Sequence, residues 1–414
     1  MNRDKNRTLT PKLRFPEFRD TAGWNCRAGN ELFDPITNRA VIPELPVLAI
    51  TQEHGAIPRE QIDYHVSVTP ESIASYKEVC VGDFIISLRS FQGGIEYSRH
   101  HGICSPAYVI LRRKGEGSDD YFRYLFKTGR FIQQLTRNIE GLRDGKMITY
   151  QQFSEQLLPY PEPAEQQKIA EFLTSLDALI AGHTNKLEAL RAQKTGLMQD
   201  LFPREGEAVP RLRFPEFAGA DRWQESALAD IATIRSGTTP SRAESSFYKG
   251  GTLPWVKTTD LTNSFIFHTE ECITAEAKAR VNPAHSVLVA MYGGFNQIGR
   301  TGYLMIPAAT NQAISVLNTN RSEVIPIYLL VWLNAKVSYW RKIASSSRKD
   351  PNITGSDVAR FPISYPSPLE QQKIADCLAS IDELIAATRV KVSSLKDLKG
   401  GLMQQLFPAQ EGGL

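Results

Sequence analysis

Two glycine-rich segments, each predicted to be one polar loop, carry the side chains best suited to chemistry. Residues 87–102 read SLRSFQGGIEYSRHHG, and residues 291–302 read MYGGFNQIGRTG. Arginine, asparagine and glutamine pair bidentately with base edges, and glycines let a backbone approach phosphates. Gly-Gly and Asn are equally common in solvated hairpin turns, and that alternative stays open. The candidate DNA-reading residues are Arg89, Gln92 and Arg99 in the first segment, and Asn296, Gln297 and Arg300 in the second.

A second pair of polar segments lies further along. Residues 138–150 read NIEGLRDGKMITY, and residues 345–355 read SSSRKDPNITG. Arg143 matches Arg348 at a spacing of 205, and both are candidate DNA-binding residues together with Lys146 and Lys349. GLRDGKM is similar to a phosphate loop only superficially, since Met147 stands where Ser or Thr must hold magnesium.

The motifs of common enzymes are absent from the sequence. It contains no GxGxxG, HExxH or GxSxG, no Pro-Pro-aromatic methyltransferase tetrapeptide and no PD…(D/E)xK nuclease pattern. The five cysteines are scattered without a CxxC, and His100 and His101 are adjacent, so on a strand they point apart. The sequence therefore predicts no catalytic residue and no metal ligand, although a site built from distant residues stays open.

Composition narrows the class of protein. The chain has 414 residues, 42% hydrophobic and 22% charged, which excludes a disordered chain. It has no run of about 18 apolar residues, and its first residues lack the apolar core of a signal peptide. With the unpaired pattern of cysteines, this predicts a reduced, cytoplasmic location. A net charge of +3 neither shows nor excludes DNA binding.

The chain is an internal duplication. PKLRFPEF at 11–18 returns as PRLRFPEF at 210–217, and EQQKIAEFLTSLDALIA at 165–181 returns as EQQKIADCLASIDELIA at 370–386. KTGLMQDLFP at 194–203 returns as KGGLMQQLFP at 399–408. The stretches between these blocks barely resemble each other. Two copies of one plan therefore carry two different middle domains.

Two long helices are predicted at the ends of the copies. Apolar residues repeat every seven positions from 164 to 202 and again in the second copy, which indicates a coiled-coil seam. Proline flanks both ends of each pattern. We expect the two helices to pair antiparallel through the residues Ile169, Leu173, Leu176, Ile180, Leu187, Leu190, Ile374, Leu378, Ile381, Ile385 and Leu395.

Polar residues interrupt the predicted seam at matching places. Lys194 matches Lys399, and His183 matches Thr388. Polar residues at such positions often fix register, but a frayed seam is the alternative.

The predicted fold is α/β (α+β). It consists of two β-rich domains joined by two long helices in an antiparallel coiled coil, with a pseudo-twofold internal duplication. The predicted boundaries are 1–160 for the first domain, 161–205 for the first helix, 206–365 for the second domain and 366–414 for the second helix.

The chain resembles the specificity subunit of type I restriction–modification systems. The resemblance rests on LRFPEF followed by Trp, on SGTTPSRAESSFYKGGTLPWVKTTDL at 236–261, and on two EQQKIA helices ending in GLMQxLFP. These blocks recur in order over nearly the whole chain. The first helix departs slightly, reading PAEQQKIA where the second reads PLEQQKIA.

The resemblance implies two target recognition domains, each reading one half of a split sequence in double-stranded DNA. It implies that the helices are the family's conserved spacers and dock two modification subunits, which carry S-adenosylmethionine and methylate adenine. Restriction subunits using ATP and Mg²⁺ would join for cleavage, and this chain would bind no cofactor itself. Two other readings stay open: a stand-alone nuclease with an unrecognised site, and a coiled-coil scaffold that binds proteins.

Overall fold

The computed structural model describes residues 8–38, 45–62, 73–136, 148–294, 296–344 and 352–408. They form two compact units. Unit one comprises Met1–Thr184 and Val390–Leu414, and unit two comprises Asn185–Arg389. Each unit therefore contains one middle domain and a segment of each long helix.

Unit one holds ten strands among its described residues. They are β1 (Asn25–Ala28), β2 (Phe33–Ile36), β3 (Leu48–Thr51), β4 (Gly55–Pro58), β5 (Lys77–Val79), β6 (Phe84–Ile86), β7 (Glu96–Tyr97), β8 (Gly102–Cys104), β9 (Val109–Arg113) and β10 (Leu157–Tyr160). Its shorter helices are α1 (Gly29–Leu32), α2 (Ser90–Gly93), α3 (Asp119–Leu125), α4 (Gly129–Thr136) and α5 (Tyr150–Ser154), and the long helix α6 (Pro163–Leu201) begins here.

Unit two holds ten further strands in its described part. They are β11 (Gln224–Ala227), β12 (Ala232–Ser236), β13 (Leu253–Val256), β14 (Ser264–Ile266), β15 (Glu271–Ile273), β16 (Val287–Ala290), β17 (Thr301–Leu304), β18 (Ala309–Thr310), β19 (Ile314–Thr319) and β20 (Pro362–Tyr365). Its helices are α7 (Leu228–Ile231), α8 (Pro326–Ala335), α9 (Val337–Ala344) and α10 (Gly355–Ala359), followed by the long helix α11 (Pro368–Leu406).

The two middle domains share a sheet topology despite their unlike sequences. The main sheet has the order β2-β9-β6-β7 in unit one and β12-β19-β16-β17-β14 in unit two. The first and last strands of each domain also pair in the same register, Asn25 with Tyr160 and Gln224 with Tyr365. The duplication predicted from the ends of the copies therefore extends through both middles.

Aromatic side chains fill both cores. In unit one, Phe33 meets Phe122 edge-to-face with ring centroids 5.1 Å apart, and it contacts Phe84 and Phe153 in the same way. In unit two, Trp340 stacks on Phe361 at 4.2 Å. Such pairs fix side-chain positions beyond what apolar burial alone requires.

Helix α6 begins and ends within one residue of the predicted pattern of 164–202, and α11 lies inside the predicted range 366–414. The two helices run antiparallel in each unit. In unit one, Asp177 of α6 meets Lys399 of α11, and Ile169 shares a core cluster with Leu406. Residue numbers thus rise along one helix as they fall along the other. In unit two, Lys194 meets Asp382, and Leu201 shares a cluster with Ile374.

The residues predicted for the helix seam divide into two groups. Leu187, Ile381 and Ile385 form a cluster of their own, with Leu190 beside them. The residues nearest the helix starts instead join the domain cores: Ile169 and Leu173 in unit one, Ile374 and Leu378 in unit two. Leu176 and Leu395 are buried, and Ile180 is half-buried.

An arginine–glutamate pair anchors the start of each long helix. Arg14 donates through Nε and Nη2 to Glu165 at 2.8 and 2.7 Å, and its side chain is only 7% exposed. Arg213 makes the same two bonds to Glu370. Each arginine also donates to two carbonyls of the turn that follows it. The hydrogen bonds to Glu165 raise the pKa of Arg14, so the arginine stays charged.

The two seam lysines form equivalent ion pairs. Lys194 Nζ lies 2.6 Å from an oxygen of Asp382, and Lys399 Nζ lies 2.5 Å from one of Asp177. Lys399 lies 205 residues after Lys194, and Asp382 lies 205 residues after Asp177, so the two pairs are equivalent in the repeat. These contacts favour register selection over a frayed seam.

We expect the Lys194–Asp382 pair to contribute a coupling free energy of about 0.5–1 kcal/mol, because both side chains stay partly exposed. Lys194→Asp alone places two carboxylates side by side and lowers the stability of unit two. Adding Asp382→Lys restores the attraction and most of the stability. Urea unfolding of the four proteins of this double-mutant cycle measures the coupling, and equal losses in the single and the reversed double variant would contradict it.

Candidate nucleic-acid interface

In unit two, the predicted residues Asn296, Gln297 and Arg300 lie on the single connection from β16 to β17. Gly299 has φ +74°, and a Cβ there would lie 2.3 Å from Trp340 Cδ1. Gly293 also has positive φ, at +119°. Only glycine fits such positions without strain. The loop geometry therefore depends on the glycines that the sequence places there.

The polar side chains of this loop differ in their exposure to solvent and in their hydrogen bonds. Asn296 is exposed, while Gln297 and Arg300 are half-buried. Arg300 Nε donates to the Asn296 carbonyl at 2.8 Å, which fixes the plane of the guanidinium. Its two terminal nitrogens have no partner among the described residues. A held guanidinium with free terminal donors suits bidentate pairing with a guanine edge.

In unit one, Arg89 and Gln92 lie on the equivalent connection, from β6 to β7. The short helix α2 shapes it, and the backbone N–H of Ser87 donates to Ser90 Oγ at 2.8 Å. Gly94 has φ +81°, and a Cβ there would lie 2.1 Å from the Phe126 carbonyl oxygen. Arg89 and Gln92 are both exposed to solvent. The two Gly-Gly segments thus occupy matching places in the two domains.

Arg99 does not join Arg89 and Gln92. Strands β6 and β7 pair antiparallel, with Phe84 opposite Tyr97, so Arg99 follows the other end of this hairpin. It lines a cleft of about 790 Å³ in unit one together with Arg123, Lys127 and Lys399. The one continuous loop predicted over residues 87–102 is therefore wrong, because β7 divides it.

Acidic partners neutralise most of the cations in this cleft. Lys127 Nζ lies 2.5 Å from the carboxylate of Glu96, whose pKa burial raises although the lysine opposes the shift. Lys399 is paired with Asp177, and Arg123 with Asp120. Arg99 alone of the four cations has no ion-pair partner among the described residues. Sequence reasoning missed Arg123 and Lys127, because they lie on and just after a helix far from any glycine-rich segment.

Four predicted residues lie outside the described residues. They are Arg143, Lys146, Arg348 and Lys349. The described flanks of their segments are nevertheless alike. Thr149 and Thr354 each cap a one-turn helix by accepting from the backbone N–H three residues later. The two segments therefore end in the same way.

Comparison with known proteins decides the family. The family model for the type I restriction modification DNA specificity domain matches residues 43–192 and again residues 220–396. Together these matches cover well over half of the chain. The chain belongs to this specificity family.

Curated relatives of this chain are specificity subunits of type I restriction enzymes. The MjaIX specificity subunit of Methanocaldococcus jannaschii is 31% identical over 193 residues, which cover 45% of this chain and 44% of that protein. The EcoR124I/EcoR124II specificity subunit of Escherichia coli is 23% identical over 58% of this chain and 59% of its own length. The chain thus spans about half the length of these relatives. The MjaVIII subunit of Methanocaldococcus jannaschii matches at 24% identity over 80% of both chains.

Solved structures show the same fold. A chain from a structure of type I R-M complex assembly covers 93% of this chain and 98% of its own, with a TM-score of 0.59 and 18% identity. The S subunit from M. genitalium covers 97% of this chain and 99% of its own, with a TM-score of 0.57 and 16% identity. The mixed α/β fold with two domains and two long helices is confirmed.

Two further findings bear on the chemistry of the specificity chain. Among the residues that the structure describes, one group of side chains that could bind a metal comes together: Glu78, Cys80 and His101 of unit one. Of the two adjacent histidines only His101 belongs to it. Separately, the described helices include none with the length and apolar character needed to cross a membrane.

Proposed function

We propose that this chain is the DNA-reading subunit of a type I methylating and restricting complex and that its two middle domains each read half of a two-part target. The observation that carries the proposal is the pair of equivalent β-hairpin loops. They hold Arg89 and Gln92 in one domain and Asn296, Gln297 and Arg300 in the other. The same place in the fold thus presents different donors and acceptors, as reading two different half-sites requires.

The long helices support docking of two equal partners. Leu179 and Leu384 occupy equivalent positions of the repeat, and both point away from the seam with 46% and 50% exposure. An exposed leucine at the same place in both copies gives each helix an equivalent apolar contact, as the binding of two equal partners requires. We propose that two modification subunits bind the helices in the cytoplasm. They would supply S-adenosylmethionine for adenine methylation, and restriction subunits would supply the ATP- and Mg²⁺-dependent step, while this chain adds no catalytic residue.

The test is methylation by the assembled system. A host that expresses this chain with its modification subunits is sequenced for methylated adenine. We expect one asymmetric motif of two specific halves around a non-specific gap. A continuous motif, or DNA cleavage by the purified chain alone with Mg²⁺, would contradict the proposal.

Replacing Arg300 with alanine is expected to relax recognition in one half-site only. A bidentate arginine–guanine pair discriminates by about 1–3 kcal/mol, so methylation at sites altered at that base rises roughly 5- to 150-fold relative to the intact motif. Arg89→Ala is expected to act on the other half-site. Methylation mapping of both variants measures the change.

Arg321→Ala is the matched control in the same domain. Ala290, where the β16–β17 connection begins, pairs with Ile314 at the start of β19, whereas Arg321 follows the end of β19. The control arginine is therefore at the opposite end of the sheet, and its loss should leave the motif unchanged. Loss of methylation at both half-sites in Arg300→Ala would count against separate readers.

A further inference from the structure

Three side chains with metal-binding chemistry share one face of the strand pair β5–β8. Val79 lies opposite Gly102, and Glu78 lies opposite Ile103. One step further along this register, Cys80 faces His101. Glu78 and Cys80 are two residues apart, so both point to the same side of the strand. Directly opposed and diagonal side chains of an antiparallel pair are close enough to touch.

The distances agree with this placement. A carboxylate oxygen of Glu78, the Cys80 sulfur and a ring nitrogen of His101 all lie within 4.8 Å of one another. His101 Nε2 lies 2.8 Å from Glu78 Oε1. Within the described ranges, no other three His, Cys, Asp or Glu side chains come this close.

We propose that Glu78, Cys80 and His101 bind a divalent transition-metal ion, with zinc as the best fit. Zinc takes sulfur, nitrogen and oxygen ligands at about 2.0–2.3 Å in a tetrahedron, whose corners are then about 3.3–3.8 Å apart. The three atoms reach that spacing by shifts of about 1 Å. The His101 and Glu78 side chains are 44% and 29% exposed, so they can turn without disturbing the core. Water would complete the tetrahedron.

The charges of the group match a divalent cation. On binding, the Cys80 thiol releases its proton to solvent, and thiolate and carboxylate together neutralise the ion. A thiolate also selects zinc-like ions over Mg²⁺ and Ca²⁺. Asp83 accepts from the Cys80 backbone N–H at 2.7 Å and is itself held by two bonds from Arg112, so the backbone that carries the Cys80 side chain is fixed.

The other thiol on this strand pair cannot compete for the metal. Cys104 of β8 is buried, and burial raises its pKa to about 12. In the strand register it pairs with Lys77, so its side chain points to the face opposite that of Glu78 and Cys80.

A bound ion would also restrain the backbone around it, and this effect is separate from the DNA reading proposed above. It would tie the end of β5 to the residue before β8. Arg99 lies two residues before His101, on the short link from β7, so the ion would restrain the segment that carries this arginine. A metal site for this purpose would be structural rather than catalytic.

Cobalt binding to the metal-stripped full chain tests the site. Co²⁺ bound to a thiolate gives a charge-transfer absorption that carboxylate and imidazole ligands alone do not. We expect this absorption to saturate at one equivalent of Co²⁺ and to disappear on addition of Zn²⁺. Cys80→Ser should abolish it, while His101→Gln and Glu78→Gln should weaken cobalt binding by at least about tenfold, since they remove ligands outright.

Cys272→Ser is the matched control, because Cys272 is a half-buried thiol of unit two outside the group. It should keep the absorption unchanged. Alkylation of the wild-type chain, mapped by mass spectrometry, gives a second measurement that needs no variant: Zn²⁺ should protect Cys80 and leave Cys272 reactive. Absence of the cobalt band, its survival in Cys80→Ser, or equal alkylation of Cys80 with and without Zn²⁺ would overturn the proposal.

Discussion

Glu165→Ala is expected to lower the free energy of unfolding of unit one by about 3–5 kcal/mol, because it leaves the Arg14 guanidinium charged and buried without its partner. The Glu165 side chain is 2% exposed and receives two hydrogen bonds from Arg14. The arginine keeps its bonds to the Thr21 and Ala22 carbonyls, and these do not neutralise its charge. Hydrogen exchange of the first turns of α6 in the full chain should therefore quicken strongly.

The chain offers both a control and a repeat of this experiment. Lys168 and Glu17 form an ion pair beside the buried one, but their side chains are 47% and 44% exposed. Glu17→Ala should leave the stability of unit one nearly unchanged, because an exposed ion pair contributes little. Glu370→Ala should repeat the large effect in α11 and leave unit one unchanged. Similar small losses for Glu165→Ala and Glu17→Ala would show that burial does not set the strength of the pair.

The long helices were predictable from sequence because three independent signals agree on them. The heptad pattern, the flanking prolines and the second copy all place them within one residue of α6 and α11. Their antiparallel pairing follows from the short connection between the copies. The buried ion pair could also have been predicted from the sequence, since Arg14 and Glu165 both return in the second copy as Arg213 and Glu370. Two charges repeated together are a signal that they meet.

The candidate sites were less predictable, because they depend on strand register. Sequence placed Arg89 and Arg99 in one loop, whereas the two-residue strand β7 sends them to opposite ends of a hairpin. It also dismissed His101 by considering only its neighbour His100. In the proposed metal site the partner of His101 is Cys80, which lies across the strand pair and 21 positions away in sequence. Cross-strand partners cannot be read from local spacing until the register is known.

A fragment of residues 1–206 is expected to form a closed symmetric dimer. It contains the first domain and all of α6 but lacks the segment of α11 that completes unit one. That segment buries Leu406 and Phe407 in the core, and the Gln405 carbonyl accepts from the Leu13 N–H at 3.1 Å. Without it, the fragment exposes the apolar surface that these side chains cover.

The end of α6 in a second copy can supply the missing segment. KTGLMQDLFP differs from KGGLMQQLFP at only two of ten positions, and Leu201 and Phe202 stand where Leu406 and Phe407 stand in α11. In unit two the Asp200 carbonyl already accepts from the Leu212 N–H at 2.9 Å, the counterpart of the bond to Leu13. Each copy therefore offers the other the surface it lacks, and two such exchanges close the dimer.

Sedimentation of the fragment measures the dimer, and methylation mapping with the modification subunits measures its specificity. Two identical readers should direct methylation to a palindrome built from the first half-site. Phe202→Ala removes the aromatic anchor at both junctions at a cost of about 3–5 kcal/mol each, and it should return the fragment to monomers that expose apolar surface. Arg191→Ala, an exposed residue of the same helix, should leave the dimer intact. A well-folded monomer of residues 1–206, or methylation of the original asymmetric motif, would contradict the exchange, because neither can arise if each copy must complete the other.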